Sequence, residues 1–241
     1  MPSKYVLRKF SAEGIYHIYN RGSEGTNIFR EEQDYKMFLY YLYIYLVPLK
    51  VVLEHYPSLP FRLRIHNMNK EVDLLAYCLM PDHIHLLLQP HSNSSIPTFM
   101  KQVTNAYTQY INQKYSRSGS LFQGRYKAVG VEKENQFVQI CRYIHLNPLA
   151  DNVVSRLTDY PYSSLQDYLQ PEKESICNRR LLQSFFSSPQ KHLDFVLDQT
   201  DYTKKLSVIK NELIEVNRGW TPWCGFNPEL VVDKHFWFVI P

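Results

Sequence analysis

Apolar residues recur at 96, 99, 100, 103, 106, 107, 110 and 111 within IPTFMKQVTNAYTQYINQKYS. That 3.6-residue rhythm predicts an amphipathic helix over 96–116, ended by Ser118-Gly119. Other stretches alternate instead. GIYHIYNRG (14–22) reads as a strand closing on a glycine turn. VDLLAYCLM (72–80) and HIHLLLQ (83–89) read as two strands joined by a tight turn at Pro81-Asp82, and AVGVE (128–132) as a short fourth. REEQDYKMFLYYLYIYL (30–46) has an acidic start and then an apolar run, which suits a helix. ENQFVQICRYIHLN (134–147) reads as a further helix closed by Pro148.

The order is β-α-β-β-α-β followed by a helix. It predicts an α+β domain of ferredoxin-like βαββαβ type, an antiparallel sheet with helices on one face. PYSSLQDYL (161–169) reads as a closing segment, which gives a first domain over 1–168. Residues 169–241 read as a helical C-terminal appendage, with LLQSFF, HLDFVL and KKLSVIKNELI as short helices before an aromatic tail.

The 241 residues are 44 % apolar, enough for a sizeable core, and carry a formal charge of +4. Charge distribution says more than the total. The 49 residues from His83 to Val131 contain no Asp or Glu, against 23 acids in the chain. They carry Lys101, Lys114, Arg117, Arg125 and Lys127 among amides and aromatics. Basic groups bind phosphates and aromatics stack on unpaired bases, so a nucleic-acid surface is expected here. A solvated helix face that happens to lack acids is the plainer alternative. Cys78, Cys141, Cys177 and Cys224 form no CxxC pair and read as free thiols of a cytoplasmic protein. No secretory signal is visible, and the apolar run at 37–49 is too short and too tyrosine-rich to span a bilayer.

Two histidines break the second hairpin strand. His83 and His85 are two residues apart, so they share a strand face, while Ile84 and Leu86 turn to the other. The surroundings narrow the H-x-H classes. A histidine-triad nucleotide transferase needs a third His at 87, which is Leu; paired H-x-Thr or H-x-Ser units are absent; the helices argue against a cupin. What remains among the enzyme classes is a metal site completed from a distant segment, with a purely structural His pair as the plain alternative. Imidazoles suit Mn²⁺ better than Mg²⁺, though a bound phosphate makes either acceptable. On the helix over 134–147, Phe137, Ile140, Cys141 and Ile144 form the core stripe, and Tyr143 and Asn147 lie one turn apart on its edge. A tyrosine oxygen beside a metal-held phosphate is a nucleophile, and an amide oxygen one turn on is a ligand. By periodicity alone Tyr143 reads equally as one more core-edge aromatic.

MPDHIHLLL, LFQGRYK and CRYIHLNPL, with YHIYNRG ahead of them, resemble the single-tyrosine HUH transposases, in particular the REP-associated tyrosine transposases. The similarity covers about residues 12–168. It implies a transposase that nicks and rejoins hairpin-forming single-stranded DNA through a 5′-phosphotyrosine. Tyr143 is then the nucleophile, and His83, His85 and Asn147 hold a divalent metal, Mg²⁺ or Mn²⁺. The implied partner is single-stranded DNA with palindromic hairpins, with no membrane. A homodimer is compatible with it. Lys101, Lys114, Arg117, Arg125 and Lys127 are the candidate phosphate contacts, with Arg21 and Gln123 as further polar contacts. The remaining histidines, His17 among them, show no spacing signal and read as ordinary surface or core residues. Rival readings are another HUH nickase, a hairpin-binding protein without cleavage, and an RNA-binding sheet.

Overall fold

The computed structural model describes residues 9–198. The expected helix KKLSVIKNELI, the aromatic tail and Cys224 lie outside them. In chain order the main elements are β1 (Ile15–Arg21), α1 (Glu32–Leu46), α2 (Leu49–His55), α3 (Phe61–Arg64), β2 (Val72–Met80), β3 (His83–Pro90), α4 (Ser95–Lys114), β4 (Lys127–Val131) and α5 (Glu134–Ala150). Three short helices follow: α6 (Leu165–Leu169), α7 (Arg180–Gln183) and α8 (Pro189–Leu197). The four strands form one sheet in the order β2-β3-β1-β4, every neighbouring pair antiparallel. This is the ferredoxin-like arrangement expected from the element order. α2 and α3 were not expected.

Strand alternation divides the sheet into two faces. Tyr16, Ile18, Ile84, Leu86 and Leu88 enter one core with Phe38, Leu42, Phe99, Val103 and Tyr107 from α1 and α4. These two crossover helices form the expected one-sided layer. The opposite face is covered as well, by α5. An irregularity between Leu74 and Ala76 in the β2–β3 register puts both Leu75 and Ala76 on that second face. With Cys78, Met80 and Leu87 they form an apolar strip, which Phe137, Ile140, Cys141 and Ile144 of α5 bury. The predicted core stripe of α5 is therefore correct, and it seals the second face.

Pro148 does not close α5, which runs on to Ala150. Pro148 forgoes the N–H bond that the Ile144 carbonyl would otherwise accept, and the helix continues past it for two residues. The Asn147 carbonyl still accepts from Asp151 N at 3.0 Å, and the Pro148 carbonyl from Val153 N at 2.8 Å.

α1 begins at a capping box in which Glu31 and Asp34 exchange side-chain and backbone bonds. Asp34 is fully buried and does more than cap. It accepts from the backbone of Arg30 and Glu31, from the hydroxyls of Tyr110 and Tyr115, and from Lys114 at 2.6 Å. Burial alone would raise its pKa; the bond to Lys114 and the backbone and tyrosine donors outweigh that and hold it below the usual carboxylate range. The network ties the start of α1 to the end of α4.

The segment after α5 lies along the outer edge of β2. Leu79 N donates to Tyr162 O and Ser164 N to Tyr77 O, while Tyr77 N donates to Ser164 Oγ. The hydroxyls of Tyr160 and Tyr168 donate to the carbonyls of Leu79 and Leu75, and Asn178 N donates to Leu74 O. α8 packs on α5 and α6 through Val196, beside Leu146, Leu149 and Leu165. Cys78, Cys141 and Cys177 are buried free thiols. Among the described residues no helix is long and apolar enough to cross a membrane.

Candidate active site

β3 turns His83 and His85 towards α5, and both imidazoles are buried. Their ring centroids lie 4.9 Å apart. Tyr143 projects from α5 onto the same spot, its ring edge-on to His85 at 5.4 Å. The two segments that the sequence could only place separately thus meet. Asn147 is one turn further along α5 and buried; its Nδ2 donates to the Tyr143 carbonyl at 2.7 Å. That bond engages the amide nitrogen and leaves Oδ1 as the atom suited to a ligand's role. Burial pushes the Tyr143 phenol far above its ordinary pKa, with Asp151 adding to the rise and a bond from Asn147 opposing it. At neutral pH the hydroxyl is protonated, so a role as nucleophile requires activation.

Three residues around the pair carried no chemical assignment of this kind from the sequence. His17 on β1 is the first. Its Nε2 lies 2.9 Å from Nδ1 of His85, and the two rings are stacked at 5.1 Å. It also meets Tyr143 edge-on at 5.9 Å. The reading of His17 as an ordinary residue is corrected: it is part of the cluster. β1 alternation puts its side chain on the right face, but only the β1–β3 register, which pairs Tyr19 with His85 and His17 with Leu87, brings it alongside. Burial pushes the His17 imidazole down to about 3, so it is neutral at physiological pH.

Asp82, the second residue of the hairpin turn, is the next. Its Oδ1 lies 2.6 Å from His83 Nδ1, and its Oδ2 accepts from Arg21. Burial opposes ionisation, but the bond and charge of His83 and the Arg21 guanidinium hold Asp82 down at about 2. The turn itself is fastened by backbone. Gly22 N donates to Asp82 O at 2.8 Å, and Ile28 and Phe29 N both donate to Pro81 O. Gly22 is required here, because a Cβ would sit 2.1 Å from the Thr26 carbonyl. Arg21 is the third residue. Expected as a DNA contact, it is engaged in orienting Asp82.

The other expected DNA contacts are dispersed. Lys101 is exposed on the outer face of α4, and Gln123 and Arg125 are exposed in the loop before β4. That loop is fixed by Gln123 N donating to Arg21 O and Ser23 N to Leu121 O. Lys127 lies 5.8 Å from the ring of Tyr19, close to the histidine cluster. Arg117 lines a polar concavity with Asn105, Thr108, Gln109, Asn112 and Gln113. Lys114 is engaged within the protein. It pairs with Glu31 and with buried Asp34, so its charge is already neutralised inside the protein. Among the described residues no three His, Cys, Asp or Glu side chains are grouped to hold a metal ion. A site built on His83 and His85 would therefore need its third ligand from another residue type or from a bound group.

Residues 62–147 match the family described as "Transposase IS200 like". The matched stretch contains His83 and His85 and ends on Asn147. A Haemophilus influenzae protein whose name places it with the REP-associated tyrosine transposases is 26 % identical over 134 residues, covering 51 % of this chain and 68 % of its own. The chain resembles the REP-associated tyrosine transposases. The fold agrees: a solved structure of a REP-associated tyrosine transposase bound to a REP hairpin superposes with a TM-score of 0.51 at 14 % identity, covering 72 % of this chain and 89 % of the other. The resemblance drawn from the four motifs is thus borne out in sequence and in fold. His17 and Asp34 lie outside the stretch that matches the transposase family.

Proposed function

We propose that the protein is a single-strand DNA transposase that cleaves and rejoins hairpin-forming DNA through Tyr143. The observation that carries this reading is the meeting of Tyr143 with His85 across the α5–β3 interface, at a ring distance of 5.4 Å. The ring contacts would also suit a core-edge tyrosine, but on this reading they set a nucleophile beside the site where a phosphate is activated.

His83 and His85, with Asn147 through Oδ1, would hold the divalent ion. The donor set fits: two imidazoles on one strand, one of them backed by a carboxylate in the manner of metal-bound histidines. When bound, Mg²⁺ or Mn²⁺ polarises the scissile phosphate and favours the phenolate. Tyr143 Oη then bonds to phosphorus, giving up its proton, and the bond from phosphorus to the 3′-oxygen breaks. The strand leaves with a free 3′-hydroxyl and its partner end stays on the enzyme as a 5′-phosphotyrosine. Attack by another 3′-hydroxyl on that phosphorus reverses the bonding and releases the tyrosine, so joining needs no nucleotide cofactor.

Hairpin DNA is the proposed partner because the solved relative of this fold is bound to a REP hairpin. The exposed cations Lys101 and Arg125, with Lys127 beside the cluster, would follow its phosphates. The test uses end-labelled hairpin DNA with a single-stranded flank, incubated with the protein and Mn²⁺. A covalent adduct that resists denaturation, disappears in EDTA and is missing from Tyr143→Phe is expected. Hairpin binding with no adduct under any metal would instead support a binding protein without cleavage.

A further inference from the structure

The two histidines of the pair are held by different partners at the same atom. His83 Nδ1 faces a carboxylate, Asp82, at 2.6 Å; His85 Nδ1 faces the imidazole Nε2 of His17 at 2.9 Å. A carboxylate only accepts, so His83 must carry its hydrogen on Nδ1. Arg21 on the far oxygen keeps Asp82 ionised and aimed. For His85 the direction is not dictated by charge, since either imidazole can donate.

We propose that His17 is a positioning residue that accepts the Nδ1 hydrogen of His85, so that both histidines present Nε2 as the free-electron-pair nitrogen before any metal arrives. This rests on the reading of His83 and His85 as a ligand pair. If His17 donated instead, the His85 Nδ1 lone pair would be taken by that bond and neutral His85 would carry its hydrogen on Nε2, so only His83 would offer a ligand nitrogen. With His17 accepting, the two rings are set alike. The hydrogen bond a ring nitrogen makes determines the state of the other nitrogen, and such outer partners typically change metal affinity 10- to 100-fold. The two supports differ in strength: His83 is backed by a charge and His85 by a neutral ring. His17 reaches its place only through sheet register, from a strand 66 residues before the pair.

The direct test is nitrogen-15 NMR of histidine-labelled, metal-free protein, which reads the tautomer of each ring. Both His83 and His85 are expected as Nδ1–H in the wild type. His17→Phe, which keeps an aromatic ring but removes the acceptor, should return His85 to Nε2–H and leave His83 unchanged. His17→Gln, whose amide oxygen accepts, should restore Nδ1–H. In parallel, Mn²⁺ titration followed by electron paramagnetic resonance should show affinity falling about 10-fold in His17→Phe and recovering in His17→Gln. Hairpin binding in EDTA should be equal in all three proteins, which controls for folding. His85 found as Nε2–H in the metal-free wild type overturns the proposal, as does a folded His17→Phe with wild-type tautomers. If the wild type shows the expected tautomers yet binds no Mn²⁺, the positioning role stands and the metal reading fails.

Discussion

The two faces of the sheet are built from alternate residues of the same strands, yet they do different work. Under α1 and α4, β3 contributes Ile84, Leu86 and Leu88, all fully buried in an apolar core. Under α5 the interleaved residues are His83, His85 and Leu87. Most of that second interface is apolar strip, and one end of it is imidazole, amide and phenol. A strand that is greasy on one side alone can still hold its place, because each face needs only every second residue. The protein can therefore devote one face to stability and part of the other to chemistry, with the strand backbone as the shared rigid support.

This contrast makes substitutions on the two faces separable. The largest effect should come from Tyr143→Phe, which removes the proposed attacking oxygen. Adduct formation should fall by about 10⁴-fold or more, while unfolding by urea should shift by no more than about 1 kcal/mol. Retained cleavage would move the nucleophile elsewhere. Leu86→Ala should do the reverse. It leaves a cavity in the apolar face and should cost about 2–5 kcal/mol, with adduct yield per folded molecule close to wild type. A comparable loss of activity among folded Leu86→Ala molecules would show that the faces are coupled.

Acid stability should report on the apolar side through Asp34. Its folded pKa is depressed, so its contribution is fully present above the unfolded value near 3.9 and is lost as pH falls through the folded value. Denaturant midpoints measured from about pH 7 down to about pH 2 should drop below about pH 4 for the wild type, as Asp34 begins to protonate in the unfolded chain and then in the folded one. In Asp34→Asn the profile should be lower at neutral pH and flatter. Parallel profiles would remove Asp34 as the source. The smallest effects belong to exposed cations. Lys101→Ala with Arg125→Ala should weaken hairpin binding and reduce its log–log salt slope by about 0.7–0.9 per lost phosphate contact. Lys114→Ala should leave that slope unchanged and lower stability instead, because it strips a buried carboxylate of its cation. An altered slope in Lys114→Ala would return that residue to the DNA surface.

Local rhythm made the strands, the crossover helices and the α5 core stripe legible, since each depends on spacing within one element, and the sheet arrangement followed from the order of those elements along the chain. The contact of His85 with Tyr143 was legible only through the motif resemblance, because it joins segments nearly 60 residues apart. His17 was not legible. Its neighbour is chosen by strand register, which no periodicity within β1 encodes. Lys114 makes a related point: it lies in a span free of acids along the chain, but folding brings Glu31 and Asp34 to it. Charge counted along a sequence is not charge counted in space. Pro148 misled because one lost bond does not by itself stop a helix whose flanking carbonyls still find donors, as those of Asn147 and Pro148 do in Asp151 and Val153.

The covering of β2 has a consequence for how the molecule meets copies of itself. Residues 160–168 and Asn178 occupy backbone groups along that strand's outer rim, so it offers little template for another strand. Among the described residues β4 has only β1 as a strand neighbour. Any growth of the sheet by strand addition is thus one-sided. It would begin at the five-residue β4, and on meeting a second such molecule margin to margin it would stop, since both far rims are already closed.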